Sequence, residues 1–504
     1  MATDLGTGRR EKVPPSGSPG RGVAVTTVAL TGGRVLTLIA GIVTVGLASR
    51  YLGLRPFGAL TTGMAYAALF AVMTDLGLST VVTREVSRDP ENEHHVLGTA
   101  LGIGFLLAVG AISLGLGLMS VIYGGPGNAA VREAIVILLV QVLVAPLTGV
   151  SRAFFTARRR GYLIAAGDIT LSVAMAAFTA IAVVAGLGYH AVVIAIGASY
   201  VAQALVMAGF ALRAGARMRP GRRGGLRLVV LALPLGGTLL LNYLYFRLDV
   251  LLLSWLKGDV DVALYGLAYR VLEGLMVLPG YVMLALFPTI VRSENDRPRL
   301  AATVGLALSG LEPAALAMAA LMAIFSREIV VVLGGEEFRQ AASVLAILSA
   351  ALAISYLNGV YGGALVALGR QRMLLWLSLG PLVVNLVANL ALIPPLGVDG
   401  AAIAVVVSEI VGFGLIRTYY VSVAGPPMSP KHGRILVAAL VFAALAVVKF
   451  AADLHSAPLA IALVGSAVGA VLYAGALLLL GAVPSAILEH IPLPDPFLRP
   501  RPGR

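Results

Sequence analysis

Four basic residues lie inside long apolar stretches of the sequence, where a charge is costly. They are Arg34, Arg247, Arg270 and Lys449. On insertion scales a charge at the middle of a membrane costs roughly 2.5–3.5 kcal/mol, so such a residue needs a partner, a hydrated cavity or a function. A guanidinium binds phosphate through two parallel hydrogen bonds and keeps its charge at any working pH. Arginines that face a cavity would therefore bind an anionic substrate.

The neighbours of these basic residues favour different roles. Arg34 has no acidic residue one helical turn away, which indicates an aqueous cavity or, alternatively, a bond to carbonyls or to an acid across the bundle. Arg270 has Glu273 three residues later on the same helical face, so a structural ion pair and a substrate contact both remain open. Lys449 lies near a helix end, from which its side chain can reach the interface, so we expect no special role for it.

Several acidic residues also lie within apolar runs. Arg247 and Asp249 are two positions apart and cannot face each other on a helix, so one is expected to point to a cavity and the other to a neighbouring helix. Glu312 and Glu409 lie deep in their runs, and each could pair with an arginine or carry a proton. The candidate substrate-binding residues are Arg34, Arg270 and Arg247, and the candidate coupling or pairing residues are Asp249, Glu273, Glu312 and Glu409.

The sequence lacks the motifs that catalysis would need. It contains no cysteine, no Walker loop for phosphate binding and no HExxH motif. The longest loop predicted on the outer side, around residues 326–340, is too short to build a catalytic site. We therefore predict a transporter rather than an enzyme, with no catalytic residue, no metal site and no cofactor beyond a coupling ion, either H⁺ or Na⁺.

The composition of the chain indicates that membrane-spanning helices position the charged residues named above. Apolar residues make up 59% of the 504 and charged residues only 12%, against roughly 25% charged in a soluble protein. Because lipid can solvate so much apolar surface, the chain is predicted to be an all-α polytopic membrane protein. About fourteen runs are long enough to span a bilayer, at 24–48, 57–81, 96–122, 131–151, 163–186, 190–212, 227–256, 262–290, 300–325, 340–367, 373–393, 400–421, 434–453 and 457–481.

The net charge of +13 reflects topology rather than nucleic-acid binding. The basic residues recur in every second loop, as at Arg152 and Arg158–Arg160 after the fourth span, whereas the intervening loops contain almost none. Cytoplasmic loops carry the excess of Lys and Arg in membrane proteins. We therefore predict an even number of spans in a cytoplasmic membrane, with both termini cytoplasmic and no nucleic-acid partner.

An internal repeat divides the chain. The segment that starts at Gly32 resembles the one at Gly236, and similar pairs start at Phe57 and Tyr265 and at Leu187 and Leu396, all about 204 to 209 residues apart by subtraction. Two six-helix halves of the same direction imply a pseudo-two-fold axis along the membrane normal, a cavity between the halves, and rocking that opens it to either side.

This repeat gives the predicted domain division. It consists of a disordered cytoplasmic tail at 1–23, an N-lobe of helices 1–6 at 24–215, a basic cytoplasmic linker at 216–226, a C-lobe of helices 7–12 at 227–422, helices 13–14 at 432–482, and a second cytoplasmic tail at 483–504.

Four stretches between residues 50 and 409 resemble bacterial polysaccharide-biosynthesis flippases in their order and spacing. They are Arg50–Glu85, Tyr245–Ile290, Leu333–Ser349 and Ala367–Glu409, with runs such as RYLGLRPFGAL and YFRLDVLLLSWLKG. The family is the polysaccharide transporter branch, including O-antigen flippases, of the multidrug/oligosaccharidyl-lipid/polysaccharide (MOP) exporter superfamily. The resemblance implies fourteen helices in two six-helix lobes plus a terminal pair.

The resemblance also implies a function. Members of the family move undecaprenyl-pyrophosphate-linked oligosaccharide to the outer leaflet by alternating access through a cationic cavity, driven by an ion gradient or the membrane potential. Arg34 and Arg270 best match their functional arginines, followed by Arg247. Membrane lipids, a polysaccharide polymerase and glycosyltransferases are the candidate partners. The alternatives are a lipid II flippase, an ion-coupled small-molecule exporter of the same superfamily, and a scaffold that transports nothing.

Overall fold

The computed structural model describes residues 19–217, 219 and 225–428, with side chains from Leu36 onward except at three positions of one helix. The backbone of Arg34 is helical, but its side chain lies outside the described part. Lys449, the predicted spans 434–453 and 457–481 and the predicted C-terminal tail also lie outside it. Residues 19–23 are helical, so the first helix begins inside the segment that we assigned to the N-terminal tail.

The first half of the described chain forms eight helices, which we call the N-lobe. Their bounds are α1 Pro19–Leu52, α2 Leu54–Asp75, α3 Leu78–Arg88, α4 Glu93–Ile122, α5 Ala129–Leu138, α6 Val140–Ala157, α7 Gly161–Val184 and α8 Gly188–Arg213.

The second half forms eight more helices, which we call the C-lobe. Their bounds are α9 Gly225–Leu256, α10 Asp259–Leu275, α11 Leu278–Arg292, α12 Arg297–Ile324, α13 Ser326–Gly334, α14 Ala341–Ala367, α15 Gln371–Leu396 and α16 Val398–Ala424.

The helices confirm a multi-pass membrane protein. Within the described residues, eleven helical segments are long and apolar enough to cross a bilayer. The described side chains of α1 add a shorter apolar stretch, Leu36–Leu52. Large apolar side chains such as Val121 and Val184 are more than four-fifths exposed, as lipid-facing positions must be, because the hydrocarbon interior solvates them. The first twelve predicted runs each fall on these helices.

Three predicted spans are broken rather than continuous. Gly77 adopts φ +79°, a left-handed backbone that suits glycine, and separates α2 from α3. The second break, between α10 and α11, comes just before Pro279, whose ring cannot continue the hydrogen bonds of the preceding helix. The third, at Leu139, separates α5 from α6. We call the α2–α3 break, at Leu76 and Gly77, the elbow.

The order of helices repeats between the lobes. A long helix comes first, followed by a broken pair, and the later helices correspond at offsets close to those of the sequence repeat. For example, α4 begins at Glu93 and α12 at Arg297, 204 residues later by subtraction. Within each lobe the helices pack closely, as α1 does on α7 and α14 on α16. Between the lobes, α2 packs on both α9 and α10.

Two sequence expectations were wrong. Arg152 was placed in a loop after the fourth span, but α6 continues to Ala157, so Arg152 lies inside the helix. Residues 326–340 were predicted to be a loop, but they form α13 and a single 3₁₀ turn, Glu336–Phe338. Helix α13 is nine residues long, too short for the length criterion that we applied to spans.

Candidate functional site

A cavity of about 550 Å³ lies between the lobes. Helices α2, α6 and α8 form its N-lobe wall, and α9 and α10 form its C-lobe wall. This volume is within the roughly 300–1,000 Å³ of small-molecule sites. Its polar and aromatic lining residues are Thr61, Asp75, Ser79, Gln141, Thr148, Arg152, Tyr200, Gln203, Tyr243, Arg247, Tyr269 and Arg270.

Two of the three candidate substrate-binding arginines lie side by side on the C-lobe wall. Glu273 holds both of them: one carboxylate oxygen is 2.9 Å from Nη2 of Arg247 and the other is 3.1 Å from Nη1 of Arg270. The arginine side chains are 20% and 37% exposed. Two arginines against one glutamate leave this wall with a net positive charge, and guanidinium N–H groups that an anion can reach. The third arginine, Arg34, has no described side chain to place.

Asp249 points away from the large cavity, although Arg247 is only two residues before it. The Asp249 carboxylate is buried and accepts hydrogen bonds from the hydroxyl of Tyr265 at 2.8 Å and the amide of Asn389 at 2.7 Å. Asn385 and Ser408 are buried beside them, with a long 3.5 Å contact between their polar atoms. The cluster therefore supplies carboxylate, amide and hydroxyl oxygens, the ligand types that suit hard cations.

Glu409 has similar surroundings and faces the same small void. Its carboxylate accepts hydrogen bonds from Tyr245 at 3.0 Å and Asn358 at 2.6 Å. Asp249 and Glu409 both line a cavity of about 10 Å³, close to the smallest space that holds one water molecule. Within the described chain, no arginine or lysine forms a salt bridge with either carboxyl. Tyr269 lines both this void and the large cavity.

The remaining candidate, Glu312, is half-buried in α12 and lines neither cavity. Over the described ranges there is also no group of three or more His, Asp or Glu side chains that could hold a metal ion.

Sequence reasoning missed the polar groups on the N-lobe wall. Arg152 on α6 contacts Asp168 on α7, and the amide of Gln203 on α8 donates to Asp168 at 3.2 Å. Asp75, near the end of α2, accepts a hydrogen bond from the backbone N–H of Ser79 at 2.9 Å and also lines the cavity. A helical-face search would have found part of this wall, because Gln141, Thr148 and Arg152 are spaced by seven and four.

Near the beginning of α2, α1 of the N-lobe contacts α13 of the C-lobe. Nη2 of Arg50 donates to the carbonyl oxygens of Val331 and Val332 at 3.1 and 2.7 Å, and the hydroxyl of Ser49 lies 3.2 Å from the carbonyl oxygen of Leu333. These carbonyls belong to the last turn of α13, where helix carbonyls lack intrahelical partners and the helix dipole attracts cations. We call this interlobe contact the α13 contact.

Contacts with the C-lobe flank the part of α2 that lines the cavity, one before Thr61 and one after Asp75. Phe57 packs edge-on against Phe338, with ring centroids 5.6 Å apart. Gly58 lies so close to the carbonyl oxygen of Asp259 that a Cβ atom would collide with it. At the other end of α2, a Cβ on Gly236 of α9 would collide with the carbonyl oxygen of Leu76. The cavity is therefore bracketed by two interlobe contacts that depend on glycine.

We expect each glycine contact to act as a separate gate. The chain contains no cysteine, so a single Ala68→Cys in the cavity lining provides a unique labelling site. A membrane-impermeant maleimide labels this cysteine only when the cavity is open to the side on which the reagent is added. Gly58→Val should expose this cysteine from one face of the membrane and Gly236→Val from the other, because each added side chain separates one contact. Labelling of right-side-out and inverted vesicles measures this.

The doubly substituted chain Ser49→Ala, Arg50→Gln is a milder variant that removes the polar part of the α13 contact alone. It should give the same sidedness as Gly58→Val. Labelling from the same face in the Gly58 and Gly236 variants would contradict the two-gate interpretation.

Two models of known families match this chain, one over the N-lobe and the start of the C-lobe and the other within the C-lobe. The family model described as "Polysaccharide biosynthesis protein" matches residues 23–294, which is more than half of the chain. A second model, "MatE", matches residues 234–391, within the C-lobe.

Individual proteins show more distant similarity. The "Probable low-salt glycan biosynthesis flippase Agl15" of Haloferax volcanii is 26% identical over 186 residues, 36% of this chain. The match spans only 39% of that relative's length. A solved structure, "Lipid II flippase MurJ, inward closed conformation", covers 93% of this chain and all of its own with a TM-score of 0.78 at 12% identity.

A second solved structure has a related fold. It is an inward-facing conformation of a multidrug resistance MATE family transporter of the MOP superfamily, with a TM-score of 0.61 at 18% identity over 77% of this chain and 95% of its own. At these identities the two structures establish the fold alone.

Proposed function

We propose, because this chain belongs to the polysaccharide biosynthesis protein family of the MOP superfamily, that it flips a lipid-linked oligosaccharide across the membrane. The family is one of transporters rather than enzymes. Its glycan-flippase relative in Haloferax volcanii supports the substrate class. The finer proposal is that the lipid carrier is undecaprenyl pyrophosphate and that the oligosaccharide is a precursor of a polysaccharide such as O-antigen or exopolysaccharide.

The observation that carries this proposal is the cationic C-lobe wall. Arg247 and Arg270 line a cavity between the lobes, and a single carboxylate, Glu273, partners both. A pyrophosphate presents several acceptor oxygens, and guanidinium groups bind phosphate oxygens through charge-assisted, planar hydrogen bonds. The free-energy cost of holding two arginines in a partly dehydrated cavity is offset by these hydrogen bonds when the substrate binds. Arg34 remains proposed as a third substrate-binding arginine.

The two gates supply the transport mechanism. The α13 contact and the elbow contact lie at opposite ends of the cavity, so breaking one while the other holds exposes the cavity to one side at a time. The headgroup enters through one gate and leaves through the other, while the apolar lipid tail stays in the bilayer. Opening therefore needs only the rocking of one lobe against the other.

We further propose the membrane orientation and the complete architecture. The elbow end is cytoplasmic, because Arg84 and Arg88 follow it on α3 and the basic residues Arg158–Arg160 directly follow α6. The two lobes are related by a pseudo-two-fold axis, a terminal helix pair brings the count to fourteen, both termini are cytoplasmic, and the membrane is a bacterial cytoplasmic membrane. A polysaccharide polymerase and glycosyltransferases are proposed as partners.

A cation at Asp249 is proposed to drive the cycle. The carboxyl is buried with neutral donors, Tyr265 and Asn389, and beside a void with room for one water-sized species. Burying an ionised carboxylate without a cationic partner costs free energy. Binding of H⁺ or Na⁺ to the carboxylate offsets that cost. Tyr269 lines this void and the substrate cavity alike, and so can couple the two sites.

Two alternatives have some support. The fold resembles the lipid II flippase structure, whose named substrate is also a lipid-linked molecule, so lipid II is the first alternative. The fold also resembles a multidrug transporter, which keeps an ion-coupled small-molecule exporter as the second.

Deletion of the gene and analysis of lipid-linked sugars in the membrane test the proposal. We expect surface polymer to be lost and one undecaprenyl-pyrophosphate oligosaccharide to accumulate in the cytoplasmic leaflet, because synthesis continues while translocation stops. Accumulation of lipid II would instead support the first alternative. Drug sensitivity with normal surface polymer would support the second and contradict the proposal.

A further inference from the structure

The two walls of the large cavity differ in charge. The C-lobe wall combines Arg247 and Arg270 with Glu273, a formal charge of one positive. The N-lobe wall has one arginine, Arg152, together with Asp75, which lines the cavity, and Asp168, which contacts Arg152, a formal charge of one negative. Phosphate is therefore attracted to the C-lobe wall and repelled by the N-lobe wall, since these interactions are strong in a partly dehydrated site. A different chemical group must occupy the N-lobe side.

The N-lobe wall presents neutral groups that are free for a ligand. Gln141 and Thr148 on α6 are half-buried and line the cavity, seven residues apart on one helical face. Throughout the described ranges, neither side chain forms a hydrogen bond with another residue. An amide and a hydroxyl can each both donate and accept hydrogen bonds. We call these two residues, together with Arg152, the α6 stripe.

A second helix orients the rest of this wall. The Asp168 carboxylate contacts Arg152 and accepts from the side-chain amide of Gln203 at 3.2 Å. Gln203 is 5% exposed, so its position is fixed by packing. Its side-chain N–H donates to Asp168, which leaves the side-chain oxygen able to accept a hydrogen bond from a ligand. This arrangement holds polar groups of both kinds, donors and acceptors, at set positions in the cavity.

We infer that the α6 stripe and Gln203 bind the sugar that is attached to the pyrophosphate, and that they set which sugar the protein accepts. The inference rests on the proposed flippase function and deepens it. Sugar hydroxyls are neutral and both donate and accept, which matches the N-lobe wall. A cavity of about 550 Å³ is the size of a small-molecule site. It therefore accommodates the pyrophosphate and the sugar attached to it rather than a whole oligosaccharide.

This division of labour separates affinity from specificity. The arginines bind the pyrophosphate, which every lipid-linked sugar carries, and therefore cannot discriminate between sugars. The N-lobe wall discriminates because a buried hydrogen-bonding group that is left unpaired by the wrong sugar costs binding energy.

Binding of defined lipids to the full-length protein in nanodiscs tests the inference. The probes are sugar-free undecaprenyl pyrophosphate and a panel of undecaprenyl-pyrophosphate hexoses and N-acetylhexosamines. The wild type should bind at least one glycosylated probe more tightly than the sugar-free lipid. The variant with Gln141→Leu and Thr148→Val should lose about tenfold to a hundredfold of its affinity for that probe and keep its affinity for the sugar-free lipid.

Two control variants make the outcome specific. Thr170→Val, on α7 outside the cavity lining, should change neither affinity. Combined neutralisation of Arg247, Arg270 and Glu273 by glutamine should weaken both probes, which supports the proposed function on its own. Equal loss for both probes in the α6 variant, no loss for the glycosylated probe, or no glycosylated probe that exceeds the sugar-free lipid in the wild type would overturn the inference.

Discussion

Neutralising the cationic wall should abolish translocation while the protein still folds. The variant carries Arg247→Gln, Arg270→Gln and Glu273→Gln together, so that no buried charge is left without a partner. Each hydrogen bond from an arginine to a charged group contributes about 1.5–3 kcal/mol. The loss of two should reduce headgroup affinity by roughly a hundredfold or more. Surface polymer production in a complemented deletion strain measures the effect.

Two further variants separate this effect from general damage. Glu93→Gln with Arg158→Gln removes a comparable ion pair, 3.0 Å long, between α4 and α6 outside the cavity lining, and should leave export near normal. Glu273→Gln alone removes the carboxylate that competes for the arginines, so it should retain or increase affinity for the headgroup. Normal export by the triple variant would show that the arginines are structural.

Asparagine at position 249 should uncouple transport from its ion gradient. Asp249→Asn keeps the size of the side chain and an oxygen acceptor for the hydroxyl of Tyr265, but it cannot bind a proton and loses the charge that attracts Na⁺. A tenfold ion gradient supplies about 1.4 kcal/mol per ion, which can sustain about a tenfold difference in headgroup amount between the two leaflets. We expect that difference with the wild type and none with the variant, measured in proteoliposomes with imposed H⁺ or Na⁺ gradients.

A second carboxyl in the same lobe serves as the control. Asp399 at the start of α16 also accepts a hydrogen bond from a neutral donor, the hydroxyl of Ser343 at 2.8 Å, but it lies near the helix end and lines neither cavity. Asp399→Asn should therefore respond to the gradient as the wild type does. A gradient response that persists in Asp249→Asn would place the coupling site elsewhere.

The helices and the proximity of some site residues were predictable from the sequence, because both follow from local rules. A bilayer requires long apolar runs, and the twelve runs predicted up to residue 421 all coincide with helices. The helical period brought Arg270 and Glu273 into contact and turned Arg247 and Asp249 to different surroundings. These inferences need only positions along one helix.

The rest of the site depends on contacts between helices, which no local rule provides. The third member of the arginine–glutamate cluster, Arg247, comes from α9, whereas Arg270 and Glu273 come from α10. The pairing of Arg152 with Asp168 joins two helices and was missed because Arg152 had been placed in a loop. The glycine contacts at both ends of the cavity likewise depend on how closely separate helices approach.

Translocation by the purified protein tests the proposed flippase function most directly. Proteoliposomes would contain an undecaprenyl-pyrophosphate oligosaccharide isolated from the deletion strain, and a membrane-impermeant glycosidase would measure how much is exposed on the outer leaflet over time. We expect wild-type protein to expose the inner-leaflet pool and the Arg247, Arg270 and Glu273 triple variant to behave like empty liposomes. Equal exposure with wild-type protein and with empty liposomes, or full activity in the triple variant, would contradict this expectation.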